Sequence, residues 1–211
     1  MFTLKRRASI AVFGLALGLV SFASADEVHF TGSTLGSFNG GSFLPTTSIA
    51  GLIYSNSTFD NDTVGGFLNL GGNPDPGVNF NNLGSFSLAD TTQNYTGTTF
   101  ALQVTFSAPS VIAGGSTAVF TGLLSGAVSN GNGGVFFDFD NTGQTFTFAN
   151  GEASGTFTMF VNDISLSPGQ VASLTGRISA TQAPVPEPAT LAALGIGAAG
   201  LLRRRRRSKK I

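Results

Sequence analysis

The amino-acid sequence predicts an all-β fold, an antiparallel β-sandwich or jelly roll, over residues 26–182. Apolar and polar residues alternate at 100–106 and again at 157–161, which gives each strand one buried and one solvent-facing side. The 24 glycines in this stretch disfavour helices, because an interior glycine costs a helix about 1 kcal/mol relative to alanine. Turn-forming runs of Gly, Asn and Pro separate short strand-like segments, a spacing typical of sandwiches and jelly rolls.

Ten strands are expected, and they are rich in Thr, Phe and Val, which favour extended structure. The expected strands are residues 28–31, 49–54, 67–70, 83–88, 100–106, 118–124, 135–139, 144–148, 157–161 and 172–179. The clearest hairpin is expected to join 135–139 to 144–148 through residues 140–143. Gly143 would take the left-handed conformation that a short hairpin loop with a bulge requires.

Phenylalanine is expected to supply most of the core, because residues 26–182 contain 17 Phe, two Tyr and no Trp. A Phe ring buries a large apolar area and has no polar atom that needs a partner. Phe136, Phe137 and Phe139 place at least one ring on each face of their strand. Either both faces are covered, as in the interior of a layered fold, or one ring is left for a ligand.

Residues 1–25 have the layout of a secretory signal peptide. Three basic residues precede an apolar run at 8–22, and the small residues Ala23 and Ala25 stand where signal peptidase reads the chain. Cleavage would make Asp26 the first residue of the mature protein. An uncleaved membrane anchor is the alternative. The adjacent arginines also suggest twin-arginine export, but nothing in the body resembles a cofactor site that requires folding before export.

The C-terminal residues 183–211 combine three features in a fixed order. The sequence Val185-Pro186-Glu187-Pro188 comes first, an apolar stretch at 189–202 follows, and five arginines and two lysines come last. As a helix the apolar stretch rises about 21 Å, so it spans a hydrocarbon core of about 30 Å only where the bilayer thins or flanking side chains snorkel. Flanking basic residues stay cytoplasmic, which places the body outside.

This terminus resembles the PEP-CTERM sorting signal of bacterial surface proteins, and the resemblance covers residues 184–210. It implies that Pro186-Glu187-Pro188 is recognised by exosortase, a membrane transpeptidase-like enzyme of Gram-negative bacteria that make exopolysaccharide, and that the membrane helix is removed. The body resembles, more loosely, the β-sandwich ectodomains attached to such signals, through residues 82–86 and 98–106. A plain stop-transfer anchor with an unrelated proline kink is the alternative, and a polybasic lipid-binding tail would require a protein that stays inside the cell.

Charge and composition exclude several classes of function. Ten of the eleven acidic residues lie between 26 and 182, where Arg177 is the only basic residue, so this body carries a formal charge of −9. Nucleic-acid binding is not expected, because affinity for phosphate backbones requires Lys and Arg. The absence of Cys excludes disulfides, thiolate metal sites and thiol catalysis, and one His excludes multi-histidine metal sites within the chain.

Calcium is a candidate cofactor, because two segments collect carboxylate and amide oxygens. Asp60 and Asp62 lie in the first, and Asp138, Asp140 and Asn141 in the second, which places acidic side chains at alternate positions before a glycine. The second segment lacks the third acidic ligand and the distant Glu of an EF-hand. Ordinary turn chemistry, in which Asp and Asn bond their own backbone, is the competing interpretation.

No enzymatic activity is expected. A Ser–His hydrolase would have to use His29, and the body lacks a Gly-x-Ser-x-Gly elbow. A glycosidase needs only two carboxylates, but the body has no Trp and two Tyr for sugar stacking. Two classes remain. The first is a secreted structural or interaction protein of the cell envelope or extracellular matrix, associated with exopolysaccharide or biofilm and attached to the membrane by its C-terminal helix before processing. The second is a carbohydrate-binding module, with or without calcium.

Overall fold

The computed structural model describes residues 27–71, 80–150, 153–182 and 195–197. Sixteen β-strands run through these residues in chain order: β1 His29–Phe38, β2 Thr46–Ile49, β3 Leu52–Ser55, β4 Thr58–Asp62, β5 Phe67–Leu70, β6 Ser85–Leu88, β7 Gln93–Asn94, β8 Thr99–Ala108, β9 Val111–Ala113, β10 Thr117–Ser129, β11 Asn132–Phe139, β12 Gln144–Asn150, β13 Ala153–Val161, β14 Ile164–Leu166, β15 Val171–Ser173 and β16 Gly176–Gln182. The predicted all-β class is confirmed.

The strands form three antiparallel sheets. The seven-stranded sheet has the order β14-β11-β10-β8-β1-β4, with β7 added beside β10. The five-stranded sheet has the order β5-β16-β13-β12-β9, and the four-stranded sheet the order β15-β6-β3-β2. A simple sandwich has two sheets, so this chain differs from that expectation in having a third.

One face of the seven-stranded sheet packs against both other sheets. On β8, alternate residues from Phe100 to Phe106 are buried, as the alternation predicts. The Phe100 ring lies 4.9 Å from Phe86 of the four-stranded sheet, and the Phe106 ring lies 4.9 Å from Phe157 of the five-stranded sheet. Phe137 and Phe139 join this core, whereas Phe136 is exposed. The core is therefore rich in Phe, as expected.

Two expected strands are each a pair of strands in the structure. The segment 49–54 contains the turn between β2 and β3, where Ala50 and Gly51 both have positive φ, at 48° and 83°. The segment 172–179 contains the break between β15 and β16, which belong to different sheets. By contrast, β5 has the expected bounds, 67–70. The apolar residues alone did not reveal these breaks, because the strands on either side are short and similar in composition.

The expected hairpin through 140–143 is wrong. β11 pairs with β10 and β14, whereas β12 pairs with β9 and β13, so residues 140–143 cross from one sheet to another. Gly143 is not left-handed; a side chain there would collide with Thr158 and Phe160. The tight hairpin lies between β10 and β11, where Asn130 and Gly131 have φ values of 49° and 74°, as a two-residue Asn-Gly turn requires.

The predicted signal peptide with Ala23 and Ala25, and the predicted sorting residues Val185-Pro186-Glu187-Pro188, lie outside the described residues. The predicted membrane helix at 189–202 is described only at 195–197, which are helical. Among the described residues, none belongs to a helix with the length and apolar character needed to cross a membrane.

Candidate functional site

The body ends on a strand that is held from both sides. Along β16, pairing with β13 continues to Gln182, which lies opposite Gly155. On the other side β16 pairs with β5, and the Ala180 N–H donates to the Gly66 carbonyl at 2.8 Å. The residues predicted to form the sorting signal therefore begin within a few residues of a firmly bonded strand.

A tight turn at residues 64–67 lies beside this C-terminal end. Val64 N–H donates to the Phe67 carbonyl at 2.8 Å, and Phe67 N–H donates to the Val64 carbonyl at 3.2 Å. Gly65 and Gly66 between them have φ values of 61° and 82°, which a two-residue turn of this hand needs and which glycine adopts without strain. The side chains of Val64 and Phe67 are 80% and 61% exposed. We call these four residues the 64–67 turn.

The N-terminal end of the body is bonded to the same turn. Glu27 accepts hydrogen bonds from Thr63 Oγ1 at 2.7 Å and from Gly65 N–H at 3.0 Å. Thr63 Oγ1 also accepts from Val28 N–H at 2.9 Å. These hydrogen bonds, that of the Thr63 hydroxyl foremost, lower the pKa of the Glu27 carboxyl. Both ends of the body therefore meet at the 64–67 turn.

The first predicted calcium segment forms a polar cluster around His29. Asp60 and Asp62 lie on β4 opposite Thr31 and His29 of β1. His29 Nδ1 is 2.9 Å from Asp62 Oδ1, and its Nε2 is 3.1 Å from Asp60 Oδ1 and 3.1 Å from Thr31 Oγ1. The cluster lies at the edge of the seven-stranded sheet and its side chains are exposed. The histidine is thus held between two carboxylates.

The second predicted calcium segment includes a neighbour that the sequence analysis did not single out as a ligand. Asp140 Oδ1 accepts from Thr142 N–H at 3.0 Å, and hydrogen bonds from Thr142, that of its side chain foremost, lower the Asp140 pKa. Asp163 accepts from Phe139 N–H at 2.9 Å and from Asn141 Nδ2 at 3.4 Å. Asp138 points outward from β11. Asp163 thus brings a further carboxylate to this loop.

The structure does not bring the two calcium segments together. β4 and β11 are separated by β1, β8 and β10, which corresponds to about 19 Å across the sheet. Among the residues that the structure describes, no group of three or more His, Asp or Glu side chains is arranged to hold a metal ion. Calcium binding by Asp60 and Asp62, or by Asp138, Asp140 and Asn141, stays a prediction.

The outward ring of Phe136 lines an open groove at the other end of the seven-stranded sheet. The groove has a volume of about 300 Å³ and lies over β10, β11 and β14. Ser125 and Ser165 flank Phe136 as its direct partners on the two neighbouring strands, so both side chains lie on the same face as the ring. Phe136 is 40% exposed. One aromatic face with hydroxyl groups on both sides is an arrangement that can bind a sugar ring.

The 64–67 turn and its bonds to Glu27 are not among the features predicted from the sequence. The available signal was the Gly65-Gly66 pair, since two glycines between strand-like segments favour a two-residue hairpin turn. Nothing in the sequence indicated that Glu27 or Ala180 would bond to it, because both contacts join residues far apart in the chain.

Comparison with known proteins identifies the C-terminal segment. Residues 184–207 match the PEP-CTERM protein-sorting motif. No curated protein and no solved structure matches the chain. The match confirms the resemblance read from the sequence and covers the Pro-Glu-Pro motif, the apolar stretch and the arginines. The chain therefore carries a PEP-CTERM sorting motif, and this motif implies export, processing by exosortase and sorting to the cell surface.

Proposed function

We propose that this protein is a structural or interaction component of the cell envelope or extracellular matrix, associated with exopolysaccharide or biofilm, and that it is not an enzyme. The sorting motif at 184–207 carries the proposal, because it directs the folded body to the surface. The body itself is acidic, with a formal charge of −9 over residues 26–182, and like charge keeps a displayed domain soluble and hydrated.

The fold supports a role as a displayed module. We interpret the three sheets as a sandwich whose second layer is divided, because one face of the seven-stranded sheet packs on both others through Phe100 and Phe106. The two ends of the body share one turn, which leaves the opposite end, with the Phe136 groove, free to meet partners. His29, the one histidine, lies on an open sheet face between two carboxylates, which supports a structural role for it.

Intact-mass measurement of both termini tests the sorting step. The protein is recovered from its native envelope and from the culture medium. We expect a species that begins at Asp26 and ends near Pro186 to Pro188. A species that retains residues 189–211 would mean a stably anchored ectodomain and would contradict processing.

Deletion of the gene in the host tests the role at the surface. We expect altered aggregation, matrix yield or surface properties, restored by the full chain but not by a chain truncated after residue 183. Unchanged properties in the deletion strain would count against an envelope or matrix role, even if the termini are processed as proposed.

A carbohydrate-binding module is a second candidate, favoured by the exposed Phe136 ring between Ser125 and Ser165. Pull-down with the polysaccharide of the host tests it, with and without a calcium chelator. Phe136→Ala should abolish binding, whereas Leu123→Ala, at another exposed apolar residue of the same sheet, should not. Two results together would support a calcium-dependent site. The first is loss of polysaccharide binding when chelator is added. The second is a melting temperature of Asp140→Asn that falls below that of the parent chain only when calcium is present.

A further inference from the structure

We infer that the side chains of Val64 and Phe67 contact the membrane surface while the C-terminal segment still holds the protein to the bilayer. This inference rests on the proposed function, because it requires that residues 189–202 enter the membrane before processing. It adds an orientation and a contact surface that the sorting motif does not specify. The occupant that we assign to this surface is the lipid headgroup region of the leaflet on the exported side.

The length of the C-terminal connection limits how far the body can move from the bilayer. Gln182 ends β16, and the predicted apolar segment begins at Ala189. Seven residue steps reach at most about 25 Å when fully extended. Ala180, two residues before the end of the strand, is bonded to Gly66. Gly66 is therefore displaced by about 7 Å along the strand and about 5 Å across it from the point where this connection leaves the body, a distance of about 8 Å.

The N-terminal connection leaves from the same place. Glu27 is bonded to Gly65, and the apolar run of the predicted signal peptide ends at Phe22. Five residue steps reach at most about 18 Å. A precursor that still carries both apolar segments is therefore held to the membrane by two short connections that meet at one turn, and this turn must face the bilayer.

The chemistry of the 64–67 turn suits an apolar contact. Among the described residues of the β-sheet body, Val64 and Phe67 have the two most exposed large hydrophobic side chains. They face each other as a hydrogen-bonded pair across a two-residue turn, so both side chains lie on the same side of it. The Glu27 carboxylate accepts a hydrogen bond from the Gly65 N–H, which fixes the conformation of the turn before it contacts the membrane. Burial of an aromatic and an aliphatic side chain at an interface is favourable.

The charges near the turn indicate which lipids it meets. Glu27 is hydrogen-bonded to the turn and Asp62 precedes it by two residues, whereas the one basic residue of the body, Arg177, lies at the other end of β16. Contact with zwitterionic headgroups should therefore be stronger than contact with anionic ones, since like charges repel at short range.

Quenching of a fluorophore by spin-labelled lipid tests the contact. The chain has no cysteine, so Val64→Cys and Phe136→Cys each give one labelling site in the full chain, residues 26–211, reconstituted in phosphatidylcholine vesicles. Phe136 lies opposite Ser125 on β10. Ser125 is eight residues, or about 27 Å, along β10 from Thr117, where that strand begins. Position 136 therefore lies towards the far end of the sheet. Nitroxide carried near the headgroup should quench the label at position 64 at least about twofold more than the label at position 136.

A second substitution separates contact from mere proximity. Phe67→Ser in the Val64→Cys chain should reduce this quenching, whereas Phe136→Ser in the same chain should leave it unchanged. Both side chains are exposed, so neither substitution removes core packing.

The outcomes distinguish this inference from the proposed function. A chain that does not float with the vesicles would overturn both the anchor and the contact. A chain that floats, but whose label at position 64 is quenched no more than that at position 136, would overturn the contact alone. Cross-linking of two chains through position 64 in place of lipid quenching would overturn lipid as the occupant and assign the turn to a second copy.

Discussion

Replacement of Thr63 by valine should loosen the attachment of the N-terminal end of the body to the 64–67 turn. The Thr63 side chain is 1% exposed, and its hydroxyl accepts a hydrogen bond from Val28 N–H at 2.9 Å while it donates one to Glu27 at 2.7 Å. Valine has nearly the same shape, so Thr63→Val creates little cavity. The substitution leaves the Val28 N–H, in a residue that is 5% exposed, without its partner.

The expected cost follows from that one unpaired donor. A buried polar group that loses its partner destabilises a protein by about 1–3 kcal/mol. Loss of the bond to Glu27 adds little, because this carboxylate is exposed to solvent and its interactions are screened. In a domain of this size 1 kcal/mol lowers the melting temperature by about 2–4 °C. We therefore expect Thr63→Val to melt about 2–12 °C below the parent chain.

Circular dichroism melting of residues 26–211 in detergent measures this effect. The matched control is Thr58→Val, at an exposed threonine of β4, the strand that ends just before Thr63, which should change the free energy of unfolding by no more than about 0.5 kcal/mol. A Thr63→Val chain that melts within 1 °C or so of the parent, or a Thr58→Val chain that loses as much, would refute the assignment of stability to this hydroxyl.

Three further predictions concern the same body. Tyr54→Phe removes a buried hydroxyl that lies 2.9 Å from the Leu83 carbonyl and should cost about 1–3 kcal/mol in urea unfolding; an unchanged midpoint would contradict this. Gly36→Ala places a Cβ in steric conflict with the Tyr54 ring and should destabilise by about 1–3 kcal/mol, whereas Gly71→Ala, whose Cβ would lie 4.0 Å from the Thr175 side chain in ordinary van der Waals contact, should be nearly neutral. Because hydrogen bonds lower the pKa of Glu27, the stabilisation of the fold by this carboxylate should be complete above about pH 4.3 and vanish as the pH falls through the lowered pKa. The melting temperatures of the parent chain and of Glu27→Gln should therefore converge in acid. A difference in melting temperature that stays constant with pH would refute the predicted direction of this pH dependence.

Strand identity could be predicted from the sequence because it depends on a local pattern. The alternation from Phe100 to Phe106 depends only on which side chains share a face, and the structure buries that set. Pairing is not local. Residues 140–143 have the composition of a hairpin turn, yet the strands on either side of them, β11 and β12, belong to different sheets. Burial of Phe139 and Phe148 against separate partners outweighs the local preference for a hairpin.

The candidate site divides in the same way. The sorting motif is contiguous, so residues 184–207 could be recognised without a fold. The 64–67 turn lies where both ends of the body meet because Gly65 and Gly66 are hydrogen-bonded to Glu27 and Ala180. These partners lie 38 and 114 positions from the two glycines in the sequence. The sequence pattern is also consistent with Phe67 as an ordinary strand residue. The structure shows that its side chain is exposed to solvent, because Phe67 begins β5, which is an edge strand.

The positions of the first and last strands explain how the body can be displayed through short connections and remain folded. β1 lies between β4 and β8, and β16 lies between β5 and β13, so neither is an edge strand that could be peeled away by breaking one ladder. A pull on either connection is resisted by hydrogen bonds on both sides of the strand. The sorting motif starts two residues after Gln182, where this pairing ends. An enzyme that acts on the motif must therefore approach the end of the body that carries the 64–67 turn, because the chain cannot extend towards it by unravelling β16.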